Sequence, residues 1–153
     1  MSFIHADILK NHLSVERALQ FVEGEAFGAS TVFVGKVRNQ NVGKAVQGVS
    51  YDAFEPLARK LLIAICEEAM RRFGPSLKLF IEHFQGRLSV GGLSVVIAVG
   101  SVHRKEGYDA SRFLIEELKH RVPIWKQEHY VEGDSEWIHG QQCCVSHTKN
   151  MGD

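Results

Sequence analysis

Residues 93–99 constrain the fold more than any other stretch. They are nearly all apolar, built from small and β-branched side chains, and interrupted only by Ser94. A strand without polar alternation needs cover on both faces. This segment is therefore expected to be the central strand of a sheet with a layer on either side. Two long helices are available as cover. Pro56 sits in the first turn of a pattern carried by Leu57, Leu61, Leu62, Ile65, Ala69 and Phe73, which Gly74-Pro75 ends. A second helix is expected over 108–121, with Ala110, Phe113, Leu114 and Leu118 as its stripe. Pro123 ends it, because the ring pushes Val122 out of the helical region.

Shorter elements complete the pattern. Ser14 can cap a brief helix through Val15, Ala18, Leu19 and Val22 that stops at Gly24. Strands are expected at 4–9 (an edge), 31–34 (buried), 46–54 and 77–84, with Leu79 and Ile81 on one side of the last and Phe80 and Glu82 on the other. Residues 35–44 read as a polar loop, and Gly86 and Gly91-Gly92 as bulges or tight turns. Residues 124–131 and 136–138 form a closing hairpin around Gly133-Asp134. Strands in mixed order with helices between them give one α+β domain over residues 1–139, followed by a polar, frayed tail at 140–153.

The chain has 153 residues, 44% hydrophobic and 24% charged, which suffices for a core. Lys plus Arg and Asp plus Glu each number 18. A globally basic nucleic-acid binder is disfavoured, while a local basic pocket remains open. No apolar run approaches the ~20 residues of a membrane span, and residues 1–7 lack the regions of a signal peptide. Three cysteines, two of them adjacent, do not make a disulfide framework, so a reducing, cytoplasmic compartment is expected. Cys143, Cys144 and His147 lack the spacing and the second half-site of a zinc centre, so no metal is expected. Cys66 falls on the buried side of its helix and no Gly-x-Ser-x-Gly elbow occurs, which disfavours a Cys or Ser nucleophile.

The positive charge is gathered at element ends. Lys36, Arg38 and Lys44 share the loop, with no acid among them. His103-Arg104-Lys105 follows the central strand, Lys119-His120-Arg121 closes the second helix, and Lys126 lies just beyond Pro123. Each cluster alone is accounted for by solvation or the helix dipole. Together they suggest a pocket for an anion such as a phosphate. Lysines brought together there would lower one another's pKa, making one a usable base or nucleophile.

The motifs Phe33-Val34-Gly35-Lys36-Val37-Arg38-Asn39, Gly100-Ser101-Val102-His103-Arg104 and Lys119-His120-Arg121-Val122-Pro123-Ile124-Trp125-Lys126 resemble the catalytic subunits of molybdopterin synthase. Gly91-Gly92, Glu132-Gly133-Asp134 and Trp137 extend the resemblance over roughly residues 3 to 139. The resemblance implies an α/β hammerhead-like mixed sheet with two long helices, and an enzyme that uses no cofactor. The implied reaction delivers two sulfur atoms to cyclic pyranopterin monophosphate, opening its cyclic phosphate to make the dithiolene of molybdopterin. The sulfur would come from the C-terminal Gly-Gly thiocarboxylate of a small ubiquitin-like subunit, with a homodimer of this chain inside a heterotetramer. By the same resemblance Lys119 is the principal catalytic lysine and Lys126 its helper. Lys36, Val37, Arg38, His103 and Arg104 would hold phosphate and pterin, with Gln127 and Glu128 beside Lys126. The alternative is a non-catalytic anion-binding module built on the same basic pocket.

Overall fold

The computed structural model describes residues 2–139. Cys143, Cys144, His147 and the rest of the expected tail lie outside the described residues. In chain order the elements are β1 (Ile4–Leu9), α1 (Val15–Phe21), β2 (Ala29–Lys36), β3 (Gln40–Asn41), β4 (Lys44–Ala53), α2 (Glu55–Phe73) and β5 (Lys78–Phe84). They continue with β6 (Gly86–Ser89), β7 (Leu93–Ser101), α3 (Arg104–Arg121), β8 (Ile124–Tyr130), β9 (Gly133–Asp134) and β10 (Ile138–His139). This is an α+β fold with mixed sheets, as expected.

One sheet runs β1-β5-β7-β2, with β1 parallel to β5 and the other pairs antiparallel. β7 is interior and covered on both sides, as its unbroken apolar run requires. Val95, Ile97 and Val99 face Leu62, Ile65 and Cys66 of α2 and Leu114 and Leu118 of α3. Val96 and Ala98 face the opposite way, toward Ala18 of α1 and Val22 just after it and toward Val46 and Val49 of the second sheet. At ~25 cal/mol per Å² of apolar surface removed from water, these two cores are the main favourable term in folding. The second sheet runs β10-β8-β4-β3, with β6 also along β4 and β9 along β8.

Local signals explain the joints. Ser14 caps α1 by accepting from Arg17 N at 3.1 Å, and Pro56 lies in the first turn of α2. α3 begins at Arg104, four residues before the expected start, because His103 serves as its N-cap and donates its N–H to Glu106 Oε2 at 3.2 Å. Gly107 lets α3 lie directly on β2, since a Cβ there would collide with Thr31 Oγ1.

Three expectations need correction. Residues 31–34 belong to an edge strand, β2, which has no fully buried residue. Their β-branched and aromatic side chains suit a half-covered surface as well as a core. The stretch 35–44 includes the end of β2 and a hairpin, in which β3 turns back into β4 through Val42 and Gly43, both at positive φ. β6 stands where only turns were expected, a four-residue strand that opens on Gly86 and is followed by Gly91, both at positive φ.

Candidate active site

The ends of β2, α3 and β8 meet around a cleft of about 440 Å³. Lys36 and Arg38 reach it from the β2 end. The register of β2 on β7 slips between Gly35 and Lys36, a bulge that re-aims the chain as it leaves the sheet. Val37, between the two cations, is buried. Its N–H donates to Gly92 O at 3.0 Å and its carbonyl accepts from Gly91 N at 2.8 Å. The Gly91-Gly92 turn therefore clamps the backbone that carries both cations. Gly35 keeps β2 against β7, since a Cβ there would stand 2.6 Å from Val95 Cγ1.

Lys119 and Lys126 come from either side of the Pro123 turn. Val122 N closes α3 on Leu118 O at 3.1 Å, and β8 begins at once with Ile124. Both lysines line the same cleft with Lys36, Arg38 and Tyr51. Lys126 is held by Glu128, two residues along the same strand, with Nζ 3.1 Å from Oε1. Glu128 is itself buried. Among the described residues Lys36, Arg38 and Lys119 have no carboxylate within ion-pair distance, whereas Arg121, next to Lys119, is claimed by Glu68 at 2.7 Å and Glu117 at 3.2 Å. Three cations without anionic partners in one cleft can take up an anion by charge-assisted hydrogen bonds.

The remaining expected site residues fall elsewhere. His103 and Arg104 sit at the start of α3, while Lys119 lies in its last turn. Fifteen residues of helix, about 22 Å, separate them, and neither lines the cleft. Gln127 does not line it either, and its side chain donates to Ser135 O at 3.2 Å. Val37 and Glu128 join Lys36, Arg38 and Lys126 around a small side recess.

His83 was not among the expected site residues, and the structure puts it in the wall of the cleft. Burial pushes its pKa down to about 4, a direction the nearby Lys119 reinforces. The available signal was its phase: it continues the Leu79 and Ile81 side of β5, a position where the core would otherwise take an apolar residue.

Two further groups bear on the chemistry. Cys66 is fully buried and its thiol is pushed up to about 12 by desolvation, so it is no thiolate at neutral pH. Ser50 Oγ lies 2.6 Å from His129 Nε2, and His129 Nδ1 donates to Asp134 Oδ1 at 2.9 Å. That is the connectivity of a hydrolytic triad. However, Ser50 sits mid-sheet with Arg87 and Gln127 paired on its two sides. The trio serves to fasten β4, β8 and β9 to one another. Among the described residues no group of three or more His, Cys, Asp or Glu side chains is placed to hold a metal.

The sequence model of the MoaE protein family matches residues 8–121. The molybdopterin synthase catalytic subunit of Synechococcus elongatus is 46% identical over 132 residues, covering 86% of this chain and 80% of that protein. That of Pyrococcus abyssi is 36% identical, covering 84% and 86%. Among solved structures, molybdopterin synthase from Staphylococcus aureus superposes with a TM-score of 0.82 at 34% identity, covering 90% of this chain and 97% of that one. A complex of subunits 1 and 2 of molybdopterin-converting factor from Helicobacter pylori superposes with a TM-score of 0.67 at 25% identity, covering 88% of each chain. The chain belongs to the MoaE family, that of the molybdopterin synthase catalytic subunits.

Proposed function

We propose that the cleft between β2, α3 and β8 is where this chain, an enzyme of molybdenum cofactor biosynthesis, carries out sulfur transfer to cyclic pyranopterin monophosphate. The observation that carries the assignment is the convergence of Lys36, Arg38 and Lys119 without carboxylate partners among the described residues, beside a lysine held by Glu128. Both reactants are anions, a phosphate ester and a thiocarboxylate, and an open cluster of cations suits each of them. Lys119 acts at the reacting carbon and the thiocarboxylate. Lys126, oriented by Glu128, assists it. Arg38 and Lys36 hold the phosphate, and Gln127 supports β8 from its other face.

A small partner subunit fits the reading, since the Helicobacter pylori structure is a complex of two subunits. We infer that its C-terminal Gly-Gly thiocarboxylate enters the cleft in the cytoplasm. No helix among the described residues is long and apolar enough to cross a membrane. His103 and Arg104 are too far along α3 to serve the cleft of their own chain, so their part in phosphate binding requires the homodimer, each copy supplying them to the other.

The test mixes the protein with a thiocarboxylated small subunit and cyclic pyranopterin monophosphate and follows dithiolene formation. Lys119→Ala is expected to lower turnover by about 100-fold or more with an unchanged melting temperature. Undiminished turnover in that variant would remove Lys119 from its role. A stable complex with the small subunit but no product from the wild type would leave the non-catalytic anion-binding module.

A further inference from the structure

His83 is a polar side chain on the apolar side of β5, and its ring is almost wholly buried. Nδ1 lies 2.8 Å from Phe84 O. A carbonyl can only accept, so Nδ1 carries the proton and Nε2 presents a lone pair. The ring is further fixed by edge contact with Tyr51, their centroids 5.0 Å apart. No described residue donates to Nε2. Among the described residues the one buried side-chain nitrogen or oxygen cut off from both partners and surface is Gln85 Oε1. Nε2 therefore reaches accessible space, and the space that His83 borders is the cleft.

We propose that His83 is a specificity-determining residue of the cleft, whose Nε2 accepts a hydrogen bond from an N–H or O–H group of the substrate's ring system. The inference rests on the functional reading above and deepens it. The cations read the phosphate, whereas His83 reads a donor on the body of the molecule. Lys36, Arg38, Lys119 and Lys126 can only donate, so they bind any small phosphate alike. A neutral imidazole with its tautomer fixed by Phe84 O adds what they lack, an uncharged acceptor. Burial and Lys119 both keep the ring unprotonated near neutral pH, so the lone pair stays available. A phosphate ester without a donor at that position would leave the acceptor desolvated and unmatched, which is how one hydrogen bond discriminates between ligands.

The experiment compares wild type, His83→Leu and His83→Gln, each first checked for cooperative unfolding. Their affinities for cyclic pyranopterin monophosphate and for inorganic phosphate are measured by calorimetry. His83→Leu is expected to weaken pterin binding about 10-fold and leave phosphate binding unchanged. His83→Gln, which keeps a carbonyl acceptor, recovers most of the loss. In wild type the His83 Nε2 nitrogen resonance is expected to shift on adding the pterin and to stay put with phosphate. Equal pterin affinity in His83→Leu, or a folded His83→Gln as weak as His83→Leu, would overturn the proposal. Wild type that binds phosphate but not the pterin overturns it together with the substrate assignment. Wild type that binds neither overturns the anion cleft itself.

Discussion

Glu82 and His83 are neighbours on β5 that face opposite sides of one sheet, and the fold treats them in opposite ways. The fully buried Glu82 carboxylate accepts from His5 Nε2 at 2.8 Å and Arg17 Nη2 at 3.1 Å, which ties β1 and α1 to the sheet. His83, almost as deep, has one nitrogen tied to the backbone, while its ring lines the cleft. The same difference holds between the helices and the cleft. Arg59 and Arg121 each meet two carboxylates, while Lys36, Arg38 and Lys119 converge with none among the described residues. Among the described residues the buried polar side-chain atoms that serve the fold are satisfied within it, Gln85 Oε1 excepted, because an unmatched buried group costs ~1–3 kcal/mol. Groups that serve a ligand are left open for it.

The largest effect expected from this contrast is acid sensitivity at His83. Its folded pKa, about 4, lies below the ordinary 6.5, so the folded state favours the neutral ring. The resulting stability is complete above about pH 6.5 and is lost as the pH falls toward 4, by roughly 3 kcal/mol. Urea unfolding between those pH values should therefore fall off more steeply in wild type than in His83→Leu. Parallel curves would mean the ring is not held neutral. Next comes Glu82→Ala, which strands His5 and Arg17 and opens a void. A loss of about 2 kcal/mol is expected, less than for a wholly buried pair because Arg17 stays half-exposed. Activity per folded molecule should be retained, and an unaltered melting temperature would break the comparison. Smallest is Arg112→Ala, which removes an exposed pair with Glu116 on α3 and should leave the melting temperature where it was.

Much of this was legible from spacing alone. The buried run at 93–99, the two helical stripes and the proline stops report local physics, and the structure follows them. The basic clusters were legible as clusters, and the Pro123 turn does bring Lys119 and Lys126 to one cleft. Other features depend on tertiary placement. Whether β2 is interior or edge is decided by what pairs with it, and β-branched residues suit either. β6 has four residues and no pattern long enough to read. His103 and Arg104 look adjacent to the site in sequence, yet the length of α3 carries them away from it. His83 was invisible because a histidine on an apolar strand face reads as core until the neighbouring cleft is seen.

The most direct test of the open cleft is a variant in which Lys36, Arg38 and Lys119 are all replaced by Gln, measured for both stability and binding. These cations make no ion pair with the described residues and share one region of like charge, so their removal should leave the melting temperature equal or higher. Affinity for cyclic pyranopterin monophosphate should fall by about 100-fold or more. A variant that melts earlier than wild type, or that still binds the pterin phosphate as tightly, would contradict the account.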